Sequence, residues 1–325
     1  MEMVLNIVLL IAGFVALIKG ADIFVDGSSS LAAIFKVPSV IIGLTIVAMG
    51  TSAPELAVST SAAIKGSNEI ALSNVVGSNI FNLLMVLGVC AVIMPVPIDN
   101  IIKKRDFPIN IAITIVLFGA LALPLIGKLD FGSVQMSDNV SGVSRLIGII
   151  LLVAFIAYIT MLIIAAKKNK VESEPTKTMS PLKSVLFILL GIALIIAGGQ
   201  FVVNSAKFIA AAFGMSETLI GLTVVAVGTS LPELVTSVVA SKKGENGLAV
   251  GNVVGSNIFN LLLILGVSST VHPIPVNFAC MIDFAILAVI TTLVYVFSLT
   301  DKINRSEGIV MIMLYIGTVV FAALR

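Results

Sequence analysis

Two stretches of this chain are near copies of one another. Gly43–Ile98 reads GLTIVAMGTSAPELAVSTSAAIKGSNEIALSNVVGSNIFNLLMVLGVCAVIMPVPI, and Gly221–Val276 reads GLTVVAVGTSLPELVTSVVASKKGENGLAVGNVVGSNIFNLLLILGVSSTVHPIPV. A constant offset of 178 residues holds without a gap, pairing Glu55 with Glu233 and Asn82 with Asn260, and more than half of the positions are identical. The correspondence continues more weakly upstream, where Gly13 meets Gly191, Gly20 meets Gly198 and Phe35 meets Phe213. Compositional bias does not produce GTSxPEL and NVVGSNIFNLL twice in register. The chain is a duplication, and its fold must be built twice from one plan.

The duplicated unit is too apolar for water. Apolar residues make up 58% of the 325 and charged residues 11%, with mean hydropathy +1.17, against about 45–50% and 25% in soluble domains. Soluble enzymes are excluded, and a net charge of +2 is too small and dispersed for a nucleic-acid partner. At about 20 residues per span, the apolar runs give ten segments: Val4–Phe35, Ser39–Ile64, Ile70–Met94, Phe107–Ile126, Leu146–Ala166, Ser184–Phe213, Thr218–Ser241, Gly247–Val271, Ala279–Leu299 and Gly308–Leu324. Met1-Glu2-Met3 lacks the basic start of a secretory signal, so the first segment reads as a retained helix. Cys90 and Cys280, without CxxC spacing, read as small core residues. The expected fold is an all-α polytopic membrane protein of ten transmembrane helices in two inverted five-helix repeats. Residues 1–166 form the first repeat, 167–183 a polar linker and 184–325 the second.

Inversion follows from the odd helix number: the second unit enters the membrane from the opposite face. Inverted repeats with a site near the midplane are a transporter signature. The basic residues test the orientation independently. With both termini outside, the cytoplasmic connections hold Lys36, Lys103, Lys104, Arg105, Lys242, Lys243, Lys302, Arg305 and the five lysines from Lys167 to Lys183. The outer side holds only Lys65, Lys128, Arg145, Lys207 and Arg325. The positive-inside rule favours this arrangement, with the linker cytoplasmic in a cell membrane.

Glu55 and Glu233 stand near the middle of apolar spans, where a charge costs at least about 2.5–3.5 kcal/mol. No Lys or Arg lies at similar depth, which leaves a bound cation or proton; the plainer alternative is a pair of protonated interhelical hydrogen-bond donors. In Gly50-Thr51-Ser52-Ala53-Pro54-Glu55, the proline frees a backbone carbonyl, which must then face polar protein, water or an ion. Thr51 and Ser52 precede Glu55 by four and three residues and share its face. Thr229, Ser230, Pro232 and Glu233 repeat the pattern. Such oxygens are the hard ligands that Ca²⁺ prefers. Asn74, Ser78 and Asn82 form a stripe on the neighbouring helix, as do Asn252, Ser256 and Asn260. The middle and last members point to the ion site; Asn74, Asn252, Asn79 and Asn257 read as structural. Asp22, Asp26 and Gln200 lie toward helix ends, where they meet water.

GTSxPE paired with GSNxxN, twice, in inverted five-helix repeats resembles the alpha-repeats of the sodium/calcium exchanger family, within the calcium/cation antiporters. The resemblance spans nearly the whole chain. It implies ten helices around a midplane site, with the long first and sixth helices sliding to alternate access. Transferred position by position, the side-chain ligands are Thr51, Ser52, Glu55, Ser78, Asn82, Thr229, Ser230, Glu233, Ser256 and Asn260, with backbone carbonyls of Ala48 and Ala226 at Na⁺ sites. The implied function is Na⁺/Ca²⁺ antiport, with these ions as substrates, membrane lipid as surroundings and no cofactor. Some members carry aspartate where this chain has Asn260, so here the site has two carboxylates rather than three. The short linker leaves no room for the calcium-sensing domains of animal exchangers.

Rival readings remain. A proton/calcium exchanger would resemble members with a Glu-His pair in the second motif, but the single His272 lies near a helix end. A K⁺-coupled exchanger is a further rival. An intramembrane hydrolase using Ser52 or Ser230 needs a nearby base, and there is no HExxH. A channel would share the composition but not the need for inverted repeats.

Overall fold

The computed structural model describes residues 2–66, 68–125, 134–168, 178–214 and 226–324. Helix α1 (Glu2–Phe35) ends at Lys36, whose φ of 54° and the following Val37-Pro38 stop the helix. Helices α2 (Ser39–Thr51) and α3 (Ala53–Ile64) meet at a 49° bend. Next come α4 (Ala71–Ile93), α5 (Ile102–Ala122), α6 (Arg145–Lys168) and α7 (Pro181–Ala212). Short α8 (Ala226–Thr229) and α9 (Leu231–Lys242) precede α10 (Asn246–Val271), α11 (Phe278–Ser298) and α12 (Arg305–Leu324).

Among the described residues, eight helices are long and apolar enough to cross a membrane, or nine if α2 and α3 form one bent span. The expected seventh span, Thr218–Ser241, begins outside the described residues, and α8 and α9 are its described part. The fourth begins earlier than the sequence suggests, at Ile102 rather than Phe107. Its basic run does not end the helix because the charges are paired: Lys103 with Asp301, and Arg105 with Asp106 at 2.9 Å.

The polarity is that of a protein in lipid. Leu146, Ile149, Ile150, Val153 and Ile156 on α6 are exposed, while Asn252, Ser256, Asn257 and Asn260 on α10 are fully buried. Of the most apolar stretch of α10, 94% is buried, against 11% for α12. Thus α10 is central and α12 peripheral.

Glycine sets the closest crossings. A Cβ on Gly13 of α1 would stand 2.9 Å from the Gly198 carbonyl oxygen of α7, and one on Gly198 would stand 2.7 Å from that of Gly13. Backbone meets backbone there, so the two long helices lie against each other in the small-residue manner of membrane helices. Gly251 brings α10 equally close to Val40 of α2. Elsewhere α4 packs on α12 and, at the repeat-related position, α10 packs on α6. Two small ribbons follow the same plan: β1 (Val96–Pro97) pairs with β4 (Lys302–Ile303), and β2 (Asn139–Val143) with β3 (Ile274–Asn277). Cys90 and Cys280 are buried and unbridged.

Candidate ion-binding site

The bend between α2 and α3 falls at Ser52, whose backbone leaves the helical region (φ −82°, ψ 7°). Pro54, which has no N–H to donate, begins the next helix beside it. Ser230 repeats the break at φ −94°, ψ 6° before Pro232. Each break places a glutamate in the first turn of a new helix, Glu55 on α3 and Glu233 on α9, and both side chains are fully buried. Helix N-termini favour negative charge.

The serines at the breaks cross to the other half of the molecule. Ser52 donates to Glu233 Oε1 at 2.8 Å, and Ser230 donates to Glu55 Oε1 at 3.0 Å. Ser78 Oγ is 3.1 Å from Ser230 Oγ, and Ser256 donates to Glu233 Oε1 at 3.4 Å. Thr51 donates to Asn252 Oδ1 at 2.9 Å, and Thr229 Oγ1 lies 3.5 Å from Asn74 Oδ1. The Ala48 carbonyl accepts the Ser52 N–H at 3.0 Å. Ala226 opens α8.

Asn82 and Asn260 each begin a π-helical turn, Asn82–Val86 and Asn260–Ile264. Such turns insert an extra residue into the helix and often occur at functional sites. Asn82 donates to Asn257 Oδ1 at 3.2 Å, and Asn260 to Asn79 Oδ1 at 2.9 Å. Asn79 and Asn257 therefore belong to the site's frame, although their spacing places them off the Asn-Ser-Asn stripe. Asn74 and Asn252 donate to Ser59 and Ser237 at 2.9 Å each.

One set of atoms stands out. Glu55 Oε2, Glu233 Oε2, Asn82 Oδ1 and Asn260 Oδ1 are buried with no hydrogen-bond partner among the described residues. Other unpaired buried atoms are rotatable hydroxyls of Ser28, Thr60, Thr236 and Ser268, and the Asn110 amide. The four oxygens in the centre are acceptors only unless a carboxyl carries a proton. Leaving a buried acceptor unpaired costs about 1–3 kcal/mol each, so four together rival the net stability of a domain, about 5–15 kcal/mol. No ion pair among the described residues reaches either glutamate. The site is a cluster of buried oxygen acceptors that, among the described residues, no cationic side chain meets.

Comparison with known proteins identifies the chain's relatives. Residues 5–164 and 183–324 match the family model described as sodium/calcium exchanger protein. The sodium/calcium exchanger MaX1 of Methanosarcina acetivorans is 32% identical over 97% of this chain and 97% of its own length. The inner membrane protein YrbG of Escherichia coli is 34% identical over 83% of this chain and 81% of its own. The solved structure of the sodium-calcium exchanger NCX_Mj, soaked with zero Na⁺ and Ca²⁺, matches at a TM-score of 0.82 and 32% identity, covering 98% of each chain. With the match of motif, fold and whole length, this chain belongs to the sodium/calcium exchanger family of membrane antiporters.

Proposed function

We propose that the chain exchanges Na⁺ for Ca²⁺ by alternating access. Ten helices form inverted repeats, 1–166 and 184–325, around a midplane site, with a cytoplasmic linker at 167–183 and both termini outside. The ligands are Thr51, Ser52, Glu55, Ser78, Asn82, Thr229, Ser230, Glu233, Ser256 and Asn260, with the Ala48 and Ala226 carbonyls serving Na⁺. The observation that carries the reading is the set of four buried, unpartnered oxygens on Glu55, Glu233, Asn82 and Asn260. A dehydrated hard cation satisfies all four at once. Either one Ca²⁺ or two Na⁺ neutralise the two carboxylates.

The test is ⁴⁵Ca²⁺ uptake into vesicles carrying outward Na⁺, K⁺ or H⁺ gradients. Na⁺ gradients are expected to drive uptake and imposed pH gradients alone are not. Uptake driven equally well by protons would move the protein to the H⁺/Ca²⁺ reading, and a strict requirement for K⁺ to the K⁺-coupled one.

Alternation is supported by an asymmetry between the halves. α1 packs along α9, whereas the repeat-related apposition of α7 and α3 is slight at most. Lys243, just beyond α9, bridges Asp22 at 2.7 Å and Asp26 at 2.6 Å on α1, and Ser29 bonds Glu245. Partial burial alone would lower the Lys243 pKa, but the two aspartates outweigh it and hold it above the usual lysine value. The repeat counterparts of Asp22 and Asp26 are Gln200 and Asn204, so Lys65 has no matching carboxylates there. In this reading the Lys243 cluster is a latch on one face only. Part-exposed pairs contribute about 0.2–1 kcal/mol each, so removing the two made by Lys243 in Lys243→Gln is expected to shift the balance of states by roughly 2–30-fold. Apparent Ca²⁺ affinity, measured separately at the two membrane faces, should rise on the Lys243 side and fall on the other. Equal affinities before and after the change would remove the latch.

A further inference from the structure

Two of the four ion-facing oxygens owe their direction to residues that do not face the ion. A backbone carbonyl only accepts hydrogen bonds, so it fixes which end of an amide is nitrogen. The Asn257 carbonyl receives Asn79 Nδ2 at 3.2 Å, and the Asn79 carbonyl receives Asn257 Nδ2 at 3.2 Å. Both amides are thereby oriented, each by the other half of the molecule. Asn79 Oδ1 is left to accept Asn260 Nδ2 at 2.9 Å, and Asn257 Oδ1 to accept Asn82 Nδ2 at 3.2 Å. With its nitrogen so engaged, each outer amide has its Oδ1 free, and these are two of the buried oxygens without a partner. Turning Asn82 or Asn260 over would set oxygen against oxygen in the frame and aim an NH₂ donor at the ions.

We propose that Asn79 and Asn257 are positioning residues of the ion site: a reciprocal pair of amides that fixes the polarity of Asn260 and Asn82 and so presents carbonyl oxygens, not N–H groups, to the cation. The pairing crosses the repeats, Asn79 acting on Asn260 and Asn257 on Asn82. This inference rests on the proposed site, in which Asn82 and Asn260 are ligands. Because α4 and α10 hold each other's amides through their own backbones, a shift of one helix against the other would disturb both ligands together.

A double-mutant cycle separates this role from general packing. The readout is the Ca²⁺ half-saturation of Na⁺-driven uptake in vesicles, normalised to folded transporter. Asn79→Ala and Asn260→Ala are each expected to raise it about tenfold, the order of one neutral ligand bond. The double variant should be no worse than Asn260→Ala alone, since the residue being positioned is gone. Asn79→Ala combined with Asn82→Ala should instead multiply. The mirror cycle, Asn257→Ala with Asn82→Ala, should again be non-additive. If alanine does not fold, Asn79→Ser and Asn257→Ser serve the same arms, because a hydroxyl lacks the amide's fixed polarity. Effects that multiply in both the 79/260 and 257/82 cycles overturn the proposal, as does a folded Asn79→Ala with unchanged half-saturation. If Asn82→Ala and Asn260→Ala themselves leave half-saturation unchanged, the site reading fails first and this inference falls with it.

Discussion

Glu55→Gln and Glu233→Gln are each expected to abolish Ca²⁺ exchange while leaving the protein folded. Each carboxylate uses one oxygen to accept a serine from the other half, Ser230 for Glu55 and Ser52 for Glu233. Glutamine keeps that acceptor and the side-chain volume, so the frame survives. It replaces the second, unpartnered oxygen with an NH₂ group, which repels a cation, and it removes one of two negative charges. Two unit charges about 4 Å apart interact by roughly 4 kcal/mol at an effective dielectric of 20, and more with a divalent ion. That exceeds the roughly 1 kcal/mol of any single neutral hydrogen bond in the site. The loss corresponds to about three orders of magnitude in affinity, beyond what raised Ca²⁺ would restore. The measurement is ⁴⁵Ca²⁺ uptake at equal amounts of protein, beside thermal unfolding in detergent. Near-normal uptake in either variant would remove that glutamate from the ligand set.

These two glutamates were legible in the sequence because membrane insertion makes a buried charge expensive, and a matched pair of such costs calls for a common explanation. The breaks at Ser52 and Ser230 were legible for a related reason, since proline after a Gly-Thr-Ser run leaves few helical options. The frame around Asn82 and Asn260 was not. A stripe drawn at every fourth residue selects Asn74, Ser78 and Asn82 and leaves Asn79 on the next face. The role of Asn79 appears only when α4 and α10 are placed side by side, so that two asparagines exchange bonds with each other's backbone. Neither helix alone contains that information. The start of α5 is not legible locally because charge normally ends a membrane span, and here Asp301, nearly 200 residues away, pairs with Lys103. The bridge from Lys243 to Asp22 and Asp26 is likewise a contact between distant segments: the two aspartates are still half-exposed to water, and nothing within α1 shows the lysine that joins them.

At the position where the family resemblance implies an aspartate in some members this chain has Asn260, and Asn260→Asp is expected to retain exchange while making Ca²⁺ affinity more dependent on pH than in the parent. In the structure the Asn260 amide donates to Asn79 Oδ1 and leaves its own oxygen unpartnered. A protonated carboxyl reproduces that arrangement, with O–H toward Asn79 and carbonyl oxygen toward the ion, so at acid pH the variant should behave like the parent. An ionised carboxyl loses the donor and meets Asn79 Oδ1 as one acceptor against another, at a cost of about 1–3 kcal/mol. It also brings a third negative charge to the cation, and at roughly 4 kcal/mol per unit-charge pair the attraction to a divalent ion outweighs that cost. The Ca²⁺ half-saturation of the variant should therefore fall as pH rises, by about tenfold or more across the titration, as protons stop competing for the added group. The parent lacks this group and should vary less over the same range. Superimposable profiles would show that residue 260 does not face the ions, and Asn82, its repeat partner, would leave the ligand set with it. A variant that lost exchange at alkaline pH would instead show that the donor to Asn79 matters more than the added charge, making the amide frame the stricter requirement at this position.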